Sequence, residues 1–459
     1  LSLAAAEAFS KVITFAAFVY LARSLGPTNY GYLEFATAVL MCASLIVDQG
    51  FSAFGAREIA KRPSDTGQLA NEIITSRFLL AASGYLMIAV FSLVINRGPV
   101  VTRLLLTYGL SLWALPFLLQ WIFQGHERMH LVAIAQLVRQ VVFVVTVFFF
   151  VRGAEQVQMV AWAEVISVTA AALFCAVIYL RFFKRIPLRP IISARVFREG
   201  VPIGVSQMFW VVKMFGGTLL LGLIASSSDV AFFGSAQRIL VALHAFVWLY
   251  FFNLLPTLSR AWPENDGAFQ RTIQKSMHGM VWVALGVGFA WAALAREGVR
   301  VVYGPVFQPT GTVLMFFAAV WAMALISGHY RFGLIAAGYA TTEMKTSALG
   351  ATLALICIPV GYLNAGINGA AIGLVIAEAG IWLSSWLCAR NLLSLKGNSN
   401  YLHRPLIAIA VLLLVMWLLP SGTQSIRLAI AVLLPALLAL ALEQTARLRV
   451  IQLFRPGRI

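Results

Sequence analysis

The sequence predicts an all-α protein threaded many times through a lipid bilayer, and three observations predict it. Of 459 residues, 61% are hydrophobic and only 11% charged, against about 45–50% and about 25% in an ordinary soluble domain. The mean hydropathy is +0.87. The apolar residues also gather in fourteen runs, and a helix needs roughly 20 apolar residues to cross the hydrocarbon core. Fourteen such helices use roughly 280 residues and leave roughly 180 for loops. No polar stretch is long enough for a separate globular domain. Soluble enzymes, secreted disulfide scaffolds and single-anchor receptors are excluded.

In chain order the runs centre on 3–22, 32–55, 73–95, 101–123, 131–151, 159–180, 201–225, 230–254, 277–295, 312–337, 346–363, 368–389, 404–419 and 427–443. The last two are short and are separated by Pro420-Ser421-Gly422, a tight-turn sequence. The two longest polar intervals, Arg181–Gly200 and Pro256–Lys275, hold one helix with turns. Pro116, Pro256, Pro359 and Pro435 lie in or at the ends of runs and predict bends. Gly369-x-x-x-Gly373 permits close helix packing.

Formal charge is +17, from 34 basic and 17 acidic residues. With no soluble domain to bind nucleic acid, topology accounts for it, because cytoplasmic loops collect Lys and Arg. Alternating from a cytoplasmic N-terminus puts 22 basic residues inside, Arg57, Lys61, Arg62 and Arg77 among them. Only seven fall outside: Arg23, Arg97, Arg103, Arg152, Arg296, Arg300 and Arg427. Both termini are therefore expected in the cytoplasm. The chain begins Leu1-Ser2 with no cleavable signal pattern, and a trimmed start is compatible with it.

An internal repeat is also expected. Gly31 after the first run maps onto Gly234 after the seventh, and Arg57 onto Arg260, both at an offset of 203. Gly125 maps onto Gly338 and Gly153 onto Gly366 at an offset of 213. Six duplicated helices share one orientation and are related by an axis along the membrane normal, as in parallel-repeat transporters. The predicted organisation is a six-helix lobe over 1–198 and a second over 199–390. Two further helices and a basic cytoplasmic tail follow over 391–459.

Five basic residues fall within runs: Lys11, Arg139, Lys213, Arg238 and Arg331. A charge at the bilayer centre costs about 2.5–3.5 kcal/mol on insertion scales, so it faces a bundle interior or a wet cavity. Some such charges snorkel or lock helices together instead. A cavity lined by these cations suits an anionic ligand such as phosphate or pyrophosphate. Glu7, four residues before Lys11, shares its face and can pair with it. Glu34, Asp48 and Glu7 are candidates for ion coupling, since a buried carboxylate can exchange a proton as its access alternates.

No phosphate loop, HExxH pair or GxSxG elbow occurs. His126 and His130 read as interfacial residues. Cys42, Cys175, Cys357 and Cys388 lie inside runs without CxxC spacing and read as packing residues. No catalytic site, metal or cofactor is expected.

The opening residues carry a resemblance. Lys11, the stretch Ala22-Arg23-Ser24-Leu25-Gly26-Pro27-Thr28-Asn29-Tyr30-Gly31, then Asp48-Gln49-Gly50-Phe51 and Arg57-Glu58-Ile59-Ala60 resemble the bacterial polysaccharide transporter family. These are the Wzx-type flippases of the superfamily that includes multidrug and toxin extruders (MATE). The resemblance implies a MATE-like fold. It implies movement of undecaprenyl-pyrophosphate-linked oligosaccharide repeat units from the cytoplasmic to the periplasmic leaflet of the bacterial inner membrane. Such units serve exopolysaccharide, capsule or O-antigen (lipopolysaccharide) synthesis. It further implies alternating access driven by an ion gradient, with a polysaccharide polymerase and a chain-length regulator as partners. A cation-coupled drug exporter and a peptidoglycan-precursor flippase of the same superfamily stay open as alternatives. More remote is a membrane polymerase or glycosyltransferase, for which the outside loops are short.

Overall fold

The computed structural model of the chain describes residues 3–183, 190–262 and 267–393, with Leu395, Ile407, Ala408, Leu434 and Leu438 beyond them. Among the described residues every regular element is helical. The fold is that of an all-α, multi-pass membrane protein.

Helix α1 (Leu3–Asp48) has 46 residues, about 69 Å at about 1.5 Å per residue, twice what a bilayer core requires. It is two helices joined at Gly26, whose φ of 69° and ψ of 171° interrupt the ladder. Proline disfavours the helical region for the residue before it, and only glycine takes this positive φ without strain. Gln49 and Gly50 then adopt φ of 43° and 75° and stop α1. The short α2 (Phe51–Lys61) follows with Phe51, Phe54 and Ile59 buried on one side. The run read as 32–55 is thus two elements, a break invisible to hydropathy.

Helix α3 (Thr66–Ile95) crosses next. The run read as 101–123 is composite: α4 (Pro99–Leu110), a 3-10 segment (Ser111–Phe117) around Pro116, and α5 (Gln120–Gly125). Proline lacks the N–H that a continuous helix would use there. Long helices follow: α6 (Met129–Phe150), α7 (Val157–Phe183), α8 (Ala194–Ile224) and α9 (Ser227–Ala261). Next are α10 (Ala268–Tyr303), α11 (Gln308–Ala336) and α12 (Ala340–Leu392). Helix α12 has 53 residues and breaks at Ala365 and Gly366.

Ten helical stretches among the described residues are long and apolar enough to cross a membrane. Two of them, Ser10–Lys61 and Ala340–Leu392, are double length and broken. Counted as two passages each, they bring the described passages to twelve. The thirteenth and fourteenth expected runs, with Pro435, fall outside the described residues except at isolated positions. Of those, Leu434 and Leu438 pack with Trp282, Leu285 and Phe289 on α10.

The chain forms two compact units. The first comprises Leu1–Ser235 with Val302–Val306, the second Ala236–Val301 with Phe307–Ile459. In the first unit, Phe51, Phe54, Ile59, Ile73, Trp121 and Tyr179 centre one core. Backbones come very close where α1 meets α9, since a Cβ on Gly31 would overlap the Ser227 carbonyl. In the second unit, Leu258, Phe269, Ile273, Met277, Leu334 and Ala389 form the core.

Candidate functional site

Polar side chains inside these helices decide what the protein can handle, because each must find water, a partner or a ligand. In the first unit, Thr14 sits at the middle of the first half of α1, and Arg139 and Gln140 sit at the middle of α6. The Gln140 amide lies 2.6 Å from the Thr14 hydroxyl. Arg139 Nη2 donates to Glu164 Oε1 of α7 at 2.6 Å. One turn toward the helix N-termini, Lys11 is exposed and Gln136 half-buried. Toward the opposite end, aromatic rings replace polar groups. Phe18 stacks on Phe143 at 5.7 Å, and Tyr20 meets Phe148 at 4.5 Å while donating to the Val151 carbonyl.

Helix α6 sorts these groups by face. Ile134, Val141, Val145 and Phe148 form its exposed apolar stripe, spaced as one side of a helix requires. Gln136, Arg139 and Gln140 fall on the other side. Arg139 keeps 35% of its side chain exposed there, away from that stripe.

Two further candidate residues in this unit are deeply buried. Lys213 on α8 is 4% exposed and Glu34 on α1 is 5% exposed. Asp48 ends α1 and pairs with Arg77 of α3. Arg77 also donates to Ser52 Oγ at 2.6 Å, and Ser52 in turn donates to Asp48 at 2.8 Å. Arg77 is thus a correction to the sequence reading, which counted it among cytoplasmic loop cations. It lies inside α3, 3% exposed, and its position within the run 73–95 was the available signal. The side chain of Glu7 lies outside the described ones.

At one end of this unit, α2 and α8 are joined by crossed ion pairs. Arg57 reaches Glu199 at 2.7 Å and Arg195 reaches Glu58 at 2.6 Å. Lys61 adds a third contact to Glu58 at 3.1 Å. Nearby, His126, between α5 and α6, lies 2.9 Å from the Thr66 hydroxyl. Partial burial, and then the Arg128 charge, hold its pKa below the ordinary imidazole value.

In the second unit, Arg331 of α11 donates to Glu343 of α12 at 2.6 and 2.9 Å and to Ser347 at 3.0 Å. Arg238 on α9 is half-buried, beside the buried Gln237. Tyr250, Ser276 and the fully buried His329 form a hydrogen-bonded chain, with links of 2.5 and 2.8 Å. Sequence reasoning did not single out Glu343, Ser276 or Tyr250.

Of the five candidate cations, Arg139 and Arg331 are therefore held in ion pairs. Lys11 and Arg139 are brought to one pair of packed helices. No group of three or more potential metal ligands occurs among the described residues.

Comparison with known proteins gives three likenesses. The chain is 21% identical over 386 residues to a protein of Escherichia coli (strain K12) named as an O-antigen transporter. The match spans 82% of this chain and 92% of that one. Among solved structures it resembles the lipid II flippase MurJ in an inward closed conformation, with a TM-score of 0.73 and 12% identity. That match covers 96% of this chain and 98% of MurJ. It also resembles an inward-facing MATE-family multidrug resistance transporter, with a TM-score of 0.67, 18% identity, and 85% and 96% of the two chains covered. These structures share the fold. The family model described as polysaccharide biosynthesis protein matches residues 1–262, more than half of the sequence, and the chain belongs to that family.

Proposed function

We propose that this protein is a flippase for polyprenyl-pyrophosphate-linked oligosaccharide repeat units. It carries them from the cytoplasmic to the periplasmic leaflet of a bacterial inner membrane, with both termini in the cytoplasm. Two six-helix lobes, 1–198 and 199–390, alternate access to the two sides, coupled to an ion gradient. A polymerase and a chain-length regulator receive the product.

The observation that carries this reading is a cation kept inside the membrane-spanning part of a polysaccharide-family protein. Lys213 lies well within α8 and is 4% exposed. A buried ammonium costs several kcal/mol; its contacts within the protein offset part of that cost, and a pyrophosphate would add charge-assisted hydrogen bonds to them. Lys11 and Arg139 in the first unit, and Arg238 and Arg331 in the second, are further candidate cations for the substrate. Glu34, Asp48 and Glu7 are the candidates for ion coupling, Asp48 being paired with Arg77.

Export complementation tests the proposal. A deletion strain should lose surface polysaccharide and accumulate lipid-linked repeat units on the cytoplasmic side. Lys213→Ala with Arg238→Ala should abolish export while leaving membrane insertion intact. Normal export by that double variant removes these cations from the mechanism. Unchanged polymer with altered drug sensitivity in the deletion strain replaces the flippase reading with an exporter.

A further inference from the structure

We infer that Thr14, Gln140, Arg139 and Glu164 form a saccharide-binding subsite inside the first unit, one that reads the glycan and not its pyrophosphate. The inference rests on the flippase reading and adds a division of labour to it.

Four features support the assignment. The cluster lies at the middle of α6 and of the first half of α1, the depth at which transporters place substrate sites. It stands opposite the exposed apolar stripe of α6, so its half-buried groups meet the protein interior and not lipid. Its formal charge is zero, because the Arg139 cation is balanced by Glu164 at 2.6 Å. A balanced pair is a poor trap for a pyrophosphate. It is a good one for hydroxyl groups, since guanidinium N–H groups donate and carboxylate oxygens accept. Lastly, the Thr14 hydroxyl proton is taken by the Ser10 carbonyl or Gln140 Oε1, at 2.7 and 2.6 Å, which leaves its lone pairs to accept and the Gln140 Nε2 to donate. A sugar ring presents the same alternation of donors and acceptors on its hydroxyls.

The neighbouring groups fit the same division. Lys11 lies one turn from Thr14 and is exposed, placed to meet a charged headgroup while the cluster meets the first sugars.

The test uses the full chain in lipid nanodiscs and two ligands. One is bare undecaprenyl pyrophosphate. The other is the lipid-linked repeat unit isolated from the strain in which the gene restores export. Wild type should bind both, the glycosylated ligand more tightly. Gln140→Ala and Glu164→Gln should each weaken the glycosylated ligand about tenfold, as loss of a hydrogen bond to a polar group does, and leave the bare carrier unchanged. Equal loss for both ligands, or no loss for either, overturns the saccharide assignment and leaves the flippase reading standing. Failure of wild type to bind either ligand sinks the flippase reading, and the subsite with it. Gln140→Ala preserves the ion pair and decides the matter if Glu164→Gln does not fold.

Discussion

Removing either member of the Asp48–Arg77 pair should destabilise the protein, and the two removals should be unequal. The Arg77 side chain is 3% exposed, whereas Asp48 keeps 29%. Asp48→Leu strands a buried guanidinium with only the Ser52 hydroxyl for company, and breaking a buried pair in this way costs about 3–5 kcal/mol. Arg77→Leu leaves a carboxylate that still reaches water and still accepts from Ser52. Its cost falls to about 2 kcal/mol, nearer the upper range of about 1.7 kcal/mol measured for single polar contacts between membrane helices. The double variant removes both charges and should cost less than the sum of the two. Unfolding purified protein in mixed micelles by SDS titration measures all three free energies in one double-mutant cycle. Additivity within about 0.5 kcal/mol, or a larger loss for Arg77→Leu, would refute the reasoning that burial of the charge left behind sets the cost.

Gly31→Val should disrupt the α1–α9 packing, because its Cβ would overlap the Ser227 carbonyl. A loss of about 1–3 kcal/mol or more is expected, seen as a lower melting temperature, with Gly279→Val, at an open position, as the control. The α2–α8 network should matter less. Arg57, Lys61 and Arg195 are 47%, 61% and 53% exposed, so each single alanine variant should cost about 1 kcal/mol or less and lose its effect in high salt. The depressed pKa of His126 makes stability fall with acid. Above about pH 6.5 both folded and unfolded imidazole are neutral; below it the unfolded chain takes up a proton that the folded chain resists. The loss grows until the pH passes the folded pKa. Melting temperatures measured from pH 7.5 to 5 should therefore slope less for His126→Gln than for wild type, and identical slopes would exclude the residue.

Hydropathy made the helical, multi-pass fold legible, because a bilayer leaves the backbone few ways to satisfy its polar groups. The breaks at Gly26 and Gln49–Gly50 were not legible in the same way. They are set by φ angles at polar or small residues within or beside apolar runs, and hydropathy does not record them. Individual intramembrane charges were visible, but their partners were not. Glu164 and Glu343 reach Arg139 and Arg331 from neighbouring helices, and that register comes from tertiary packing. The i, i+4 rule offered only Glu7 for Lys11. Arg77 shows a different failure, in which the tally of loop cations absorbed a residue that its own apolar run had already claimed.

The change of character along α1 and α6 has an electrical consequence. A polar cluster halfway through a membrane invites water, and a continuous file of water would leak ions across the bilayer. Beyond Thr14 and Gln140, on the same side of α6, Phe143 stacks on Phe18 at 5.7 Å. These rings offer water no hydrogen-bonding partner, and the Tyr20 hydroxyl beyond them donates to the Val151 carbonyl. The polar half of this helix pair thus gives way to an apolar half, which disfavours a continuous file of water along it.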